Sequence, residues 1–109
     1  MGARDLDGNQ KTVTAAATSE ALASAEQARA VDVTALPTNV GYVYVNFANG
    51  TRAAGDDLSG DYAIRLSAGD NYEVPLPAGD SIDLADILVD VSVSGEGVSY
   101  GYCRQKRSE

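Results

Sequence analysis

The sequence predicts an all-β fold: an antiparallel β-sandwich or jelly-roll-like barrel with an extended N-terminal arm. Three observations predict it. From residue 30 onward, short runs of alternating apolar and polar residues recur roughly every ten positions. Turn-forming clusters of Gly, Pro, Asn and Asp separate these runs. The apolar residues are mostly small or β-branched, with no Trp and one Phe, which suits two closely packed sheets. At 109 residues the chain is one domain, large enough to bury about two thirds of the surface its unfolded form exposes. The expected organisation is an arm over 1–12, a sandwich over 13–103 and a basic tail over 104–109.

Residues 1–12 are polar and turn-forming, so they read as an arm that is loose in the isolated chain. The stretch TSEALASAEQARA is rich in helix formers, but Leu22 is its only large apolar residue. A helix there would bury almost nothing, and packing rather than propensity holds most helices. Two short strands over 12–16 and 20–24, joined by a turn, are expected, with a helix over 18–29 as the competing reading. In AVDVTAL, Val31, Val33 and Ala35 alternate with Asp32 and Thr34. After a turn at Pro37-Thr38-Asn39, GYVYVNF places Val43, Val45 and Phe47 on one face and Tyr42, Tyr44 and Asn46 on the other. Asn49-Gly50 is a turn signal. TRAAGDDLSGDY has no periodicity and reads as a long loop.

Strands YAIRL and YEVPL follow, separated by Ala68-Gly69-Asp70. Pro75 has no amide hydrogen, so its strand lies at an edge or ends there. SIDL precedes ILVDVSV, in which Ile87, Val89, Val91 and Val93 share a face. Gly95-Glu96-Gly97 is expected to turn this strand into a hairpin with VSYGYC, placing Val89, Val91, Val98 and Tyr100 in one layer. Ala-Gly-Asp begins at positions 54, 68 and 78. The spacings are unequal, so this is recurrent turn chemistry rather than a repeat.

The formal net charge is −8, which repels phosphate backbones and anionic membranes, so neither is an expected partner. The positive charges gather near the ends, at Arg4 and Lys11 and at Arg104, Lys106 and Arg107. They read as solvated tails or, more sharply, as groups that dock on another chain. The candidate partner-binding residues are Arg4, Asp5, Asp7, Lys11, Arg104, Lys106 and Arg107. A single cysteine, Cys103, excludes an intrachain disulfide, and its apolar alternating run predicts a buried, inert thiol. No run reaches the length of a membrane span. MGARDLDGNQKT lacks the apolar core of a signal peptide, so the chain is expected to act where it is made or to leave by lysis.

Enzymatic signatures are missing. The sequence contains no histidine, which removes the commonest general base and the commonest transition-metal ligand. It has no phosphate-binding glycine loop. Asp56, Asp57 and Asp61 read as turn formers, with a loose calcium site as the alternative. Asp5, Asp7 and Asn9 open like an EF-hand loop, but Gln10 and Ala16 stand where that loop needs Gly and Glu. No catalytic residue, metal ligand or cofactor is assigned.

Several segments resemble a family of small virion proteins of tailed bacteriophages. They are Pro77-Ala78-Gly79-Asp80-Ser81-Ile82-Asp83-Leu84, the valine-rich run from Ile87 to Val93, and Gly95-Glu96-Gly97-Val98-Ser99-Tyr100. Less closely, VTAAATSEALAS resembles that family's first hairpin, and Asn39, Gly41, Tyr44 and Val45 match its next turn and strand. The acidic loop over 51–61 departs from the pattern. The resemblance implies a non-enzymatic structural protein, foremost a capsid decoration or cement protein that binds the major capsid protein or other virion proteins. Head-fibre, neck and tail components belong to the same kind. Self-association as a homotrimer and a location in the virion, after assembly in the host cytoplasm, follow as expectations. The competing reading is a carbohydrate- or receptor-binding sandwich, with Tyr42, Tyr44, Tyr62 and Tyr72 as stacking platforms.

Overall fold

Alternation places one face of each strand against an apolar layer, and the architecture follows from which strands share a sheet. A computed structural model describes residues 6–104. Its strands are β1 (Leu6–Thr12), β2 (Glu20–Ala21), β3 (Gln27–Ala35), β4 (Val43–Phe47), β5 (Ile64–Leu66), β6 (Asn71–Glu73), β7 (Ile82–Asp83), β8 (Ile87–Val91) and β9 (Gly97–Arg104). A 3-10 turn, Leu84–Asp86, leads into β8. The first sheet runs β1-β9-β3-β6, with β7 also pairing β3, and the second runs β2-β8-β4-β5. Every pairing is antiparallel. The sheets stay open, which makes the fold a sandwich and not a closed barrel.

The core lies between the sheets. Val31, Val33, Ala35 and Val98 of the first sheet meet Val43, Val45, Val89 and Val91 of the second, all buried. Val13, Leu22, Leu66 and Leu84 complete the layer. The alternation read from the sequence for β3, β4 and β8 is therefore the observed one. Val93 is the exception: it lies beyond the end of β8 and is exposed. Strand β6 is an edge strand that ends at Glu73, two residues before Pro75, as that proline requires.

Over which strand pairs with which, the sequence-based expectation fails in three places. The expected hairpin across Gly95-Glu96-Gly97 does not form, because β8 and β9 belong to different sheets. Residues 92–96 carry the chain across the sandwich. Val89, Val91 and Val98 still share one layer, with Tyr100 packed on it, but they face each other between sheets. Alternation alone is satisfied equally by a hairpin and by two facing strands. The expected hairpin over 12–16 and 20–24 is also absent, since β1 pairs β9 and β2 pairs β8. Within the expected loose arm, residues 6–12 form a strand in register with β9 from Leu6↔Cys103 to Thr12↔Gly97. Ladder hydrogen bonds come from the backbone and do not require apolar side chains, so a polar strand can be held at an edge.

The crossing from β8 to β9 is fixed by polar contacts with the turn before β4. The Glu96 carboxylate accepts the Val40 and Gly41 amides at 2.7 and 3.0 Å. Asn39 donates from Nδ2 to the Gly97 carbonyl at 2.9 Å. Strand β1 passes so close to Gly97 that a Cβ there would collide with the Lys11 carbonyl oxygen. The Asn39-Val40-Gly41 and Gly95-Glu96-Gly97 segments are thus two halves of one contact.

Candidate functional site

The outer face of the second sheet is built from the residues that alternate with the core valines. Tyr44, Asn46, Leu88 and Asp90 point that way, and all four are buried. The middle loop covers them. Leu58, fully buried, packs on Tyr44 and Leu88. The Leu58 amide donates to Asp90 Oδ2 at 2.9 Å, and Asn46 Nδ2 donates to the Asp61 carbonyl at 2.9 Å. Arg52 clamps the loop by donating to Asp61 from Nε at 2.9 Å and from Nη2 at 3.1 Å.

The loop aspartates are occupied locally. Asp56 accepts the Ala53 amide at 3.0 Å, and Asp57 accepts the Ser59 amide at 2.9 Å. The Ser59 amide holds the Asp57 carboxyl below the ordinary range, and the Arg52 guanidinium does the same for Asp61. Among the described residues, no three His, Cys, Asp or Glu side chains converge to hold a metal ion.

The four tyrosines do not form one platform. Tyr44 stacks on Tyr62 with ring centroids 5.3 Å apart. The Arg65 guanidinium lies 4.2 Å above the Tyr42 ring. These three rings lie along the second sheet. Tyr72 belongs to the first sheet and packs against the core.

The outer face of the first sheet contrasts in chemistry. Register places Gly8, Gly101, Asp32 and Glu73 in one row and Gln10, Ser99, Thr34 and Asn71 in the next. Asn71 Nδ2 bonds both Asp32 and Thr34, at 3.1 and 2.8 Å, which puts those residues on one face. A shallow groove of about 500 Å³ runs here, lined in part by Leu6, Ala30, Gly101 and Cys103. Cys103 is half-buried beside this groove, not enclosed as expected, because it alternates with Tyr102, which takes the core side.

Of the candidate partner-binding residues, Arg4, Asp5, Lys106 and Arg107 lie outside the described residues. Asp7 and Arg104 come together at one end of β1, with Oδ2 and Nη2 2.7 Å apart. The Gly8 amide and the Arg104 guanidinium hold the Asp7 carboxyl below its ordinary value. Lys11 stands at the other end of the strand and pairs with Glu20 at 2.8 Å. That ammonium, with the Thr14 amide, lowers the Glu20 pKa. The three described candidates therefore flank a single strand edge.

A device that alternation does not announce recurs at the sheet edges. Asp or Asn at position i accepts the amide of residue i+1: Asp7 from Gly8, Asn9 from Gln10, Asn46 from Phe47 and Asp90 from Val91, each within 2.8–2.9 Å. Ladder alternation aims each of these amides where no strand lies beside it. Strand β5 pairs β4 only over 43–45, and β2 pairs β8 only over 88–89. The signal that could have revealed it is an Asx residue inside an otherwise regular strand.

No protein-family model matches the chain, and no curated protein or solved structure shows significant similarity to it.

Proposed function

We propose that this chain is a non-enzymatic structural protein that works by binding other protein chains, with capsid decoration in a tailed-phage particle as its specific role. The observation that supports a binding role is the exposed seven-residue edge of β1, flanked by Asp7, Lys11 and Arg104. An unpaired strand edge presents a row of backbone donors and acceptors to an incoming chain. The virion setting rests on the resemblance of the Pro77 to Leu84 and Gly95 to Tyr100 segments to small virion proteins. Mass spectrometry of purified particles from a phage that encodes the chain tests this role. Many copies per particle, released on capsid disassembly, are expected; its absence from purified particles overturns the virion role.

A second reading draws on the exposed rings of Tyr42 and Tyr62, each about two-fifths accessible, which could stack on sugar rings. Glycan-array binding that is lost in Tyr62→Ala would favour it over the particle role.

A further inference from the structure

We propose that two copies of this chain join edge to edge through β1, antiparallel, with the two-fold axis passing at Asn9. The proposal goes beyond the function proposed above, because it names a surface and a register and does not depend on any particle.

Backbone direction comes first. Val13 exchanges hydrogen bonds with the loop before β9: its amide reaches the Glu96 carbonyl at 2.9 Å and its carbonyl accepts the Gly95 amide at 2.8 Å. Alternation along the strand then aims the backbone groups of Lys11, Asn9 and Asp7 at β9, opposite Val98, Tyr100 and Tyr102. The groups of Leu6, Gly8, Gln10 and Thr12 face the edge that no strand among the described residues pairs. The Gly8 and Gln10 amides agree, since their recorded acceptors are the neighbouring Asp7 and Asn9 side chains.

The other edges offer less. Strands β2 and β7 have two residues each, and β5 and β6 have three. Pro75 and Pro77 interrupt the edge between β6 and β7. Among the described residues, β1 is the one long, proline-free edge.

The sequence of β1 is self-complementary in one register. A two-fold at Asn9 sets Gly8 opposite Gln10 of the second copy, and Leu6 opposite Thr12. These are the residues whose backbone groups face outward, so each pair can exchange two hydrogen bonds. The same register sets Asp7 opposite Lys11 of the second copy, twice by symmetry. Those positions are non-hydrogen-bonded pairs, where side chains approach most closely. Backbone parity allows this alignment, and opposite charges with full overlap of the seven residues single it out among those that parity allows. On pairing, the Gly8 amide moves from Asp7 Oδ1 to the second copy's Gln10 carbonyl. Oδ1 is then released toward the incoming Lys11 while Oδ2 keeps Arg104. The Asx contacts therefore cover the edge in the monomer and open it in the dimer. A two-fold contact of this kind closes on itself, so it makes a dimer and not the homotrimer expected from the resemblance.

The test uses the full chain in sedimentation equilibrium from micromolar to millimolar concentration, with melting temperature as a fold control. The wild type is expected to dimerise. Gln10→Pro removes an outward amide that β9 does not use, so it should keep its melting temperature and stay monomeric. D7K and K11D each place like charges opposite one another twice, and each should weaken dimerisation by roughly tenfold. Mixed together, those two variants match opposite charges at both positions, and the heterodimer should recover near wild-type affinity. A wild type that stays monomeric to millimolar concentration overturns the proposal. So does a trimer, a Gln10→Pro variant that still dimerises, or a mixture no tighter than its components. None of these outcomes bears on whether the chain is found in particles, which is read separately by mass spectrometry.

Discussion

The two sheets solve the same problem in opposite ways. Each has an inner face of valines, and each leaves an outer face to be satisfied. The second sheet buries its outer face: Tyr44, Leu88 and Asp90 lie under the middle loop, sealed by Leu58. The first sheet leaves its outer face to solvent, with Gly8, Gln10, Ser99, Thr34 and Asn71 and no large apolar residue in those rows. The same Asx contact serves both. At Asp90 it caps the Val91 amide within a closed, buried layer; at Asp7 and Asn9 it caps amides on an exposed edge. A segment without periodicity, expected only as a long loop, supplies the buried Leu58, while the segment expected as a loose arm is the strand that offers an edge.

The contrast can be broken most severely at Leu58. Leu58→Ala should lose about 3 kcal/mol in urea unfolding, within the usual range for a buried leucine. If the loss is instead a few tenths, the loop does not seal the sheet. Asp90→Ala would deprive the buried Leu58 and Val91 amides of their acceptors. It should destabilise by about 2 kcal/mol, and hydrogen exchange should show faster exchange at both amides.

Acid titration should reach both regions more gently. Asp7, Glu20, Asp57 and Asp61 all have folded pKa values below their ordinary ones. Their ionised forms favour the folded state. Their stabilisation is complete above the unfolded values and is lost as pH falls through the folded ones. Melting temperature should thus hold at neutral pH and decline below about pH 4. A melting temperature that rises on acidification would contradict these assignments.

The smallest effects are expected on the open face. Glu73→Gln should shift unfolding by less than about 0.5 kcal/mol, as exposed substitutions usually do. The aspartates of the loop are already used by Ala53, Ser59 and Arg52, so adding a calcium chelator should leave the melting temperature unchanged. A large fall on chelation would show that these residues hold a cation.

Local chemistry was legible in the sequence wherever it follows from period two. The alternation in Val31-Asp32-Val33, Val43-Tyr44-Val45 and Val89-Asp90-Val91 determined which residues enter the core, because a β-strand must send neighbours to opposite faces. Pro75 determined where a strand stops, because it has no amide to give. Glycine and asparagine placed the turns. What tertiary structure decided is the choice of partner. Nothing local to Gly95-Glu96-Gly97 distinguishes a hairpin from a crossing between sheets, since both bring Val91 and Val98 into one layer. The choice is made by Asn39, Val40 and Gly41, more than fifty positions upstream, which meet Glu96 and Gly97 only in the folded chain. Likewise Leu58 is one leucine among turn formers until Tyr44 and Leu88 come beneath it, and Leu6–Thr12 is a polar segment until β9 offers its backbone. Periodicity is a property of one strand, whereas pairing is a property of two, and only the fold brings the second strand into reach.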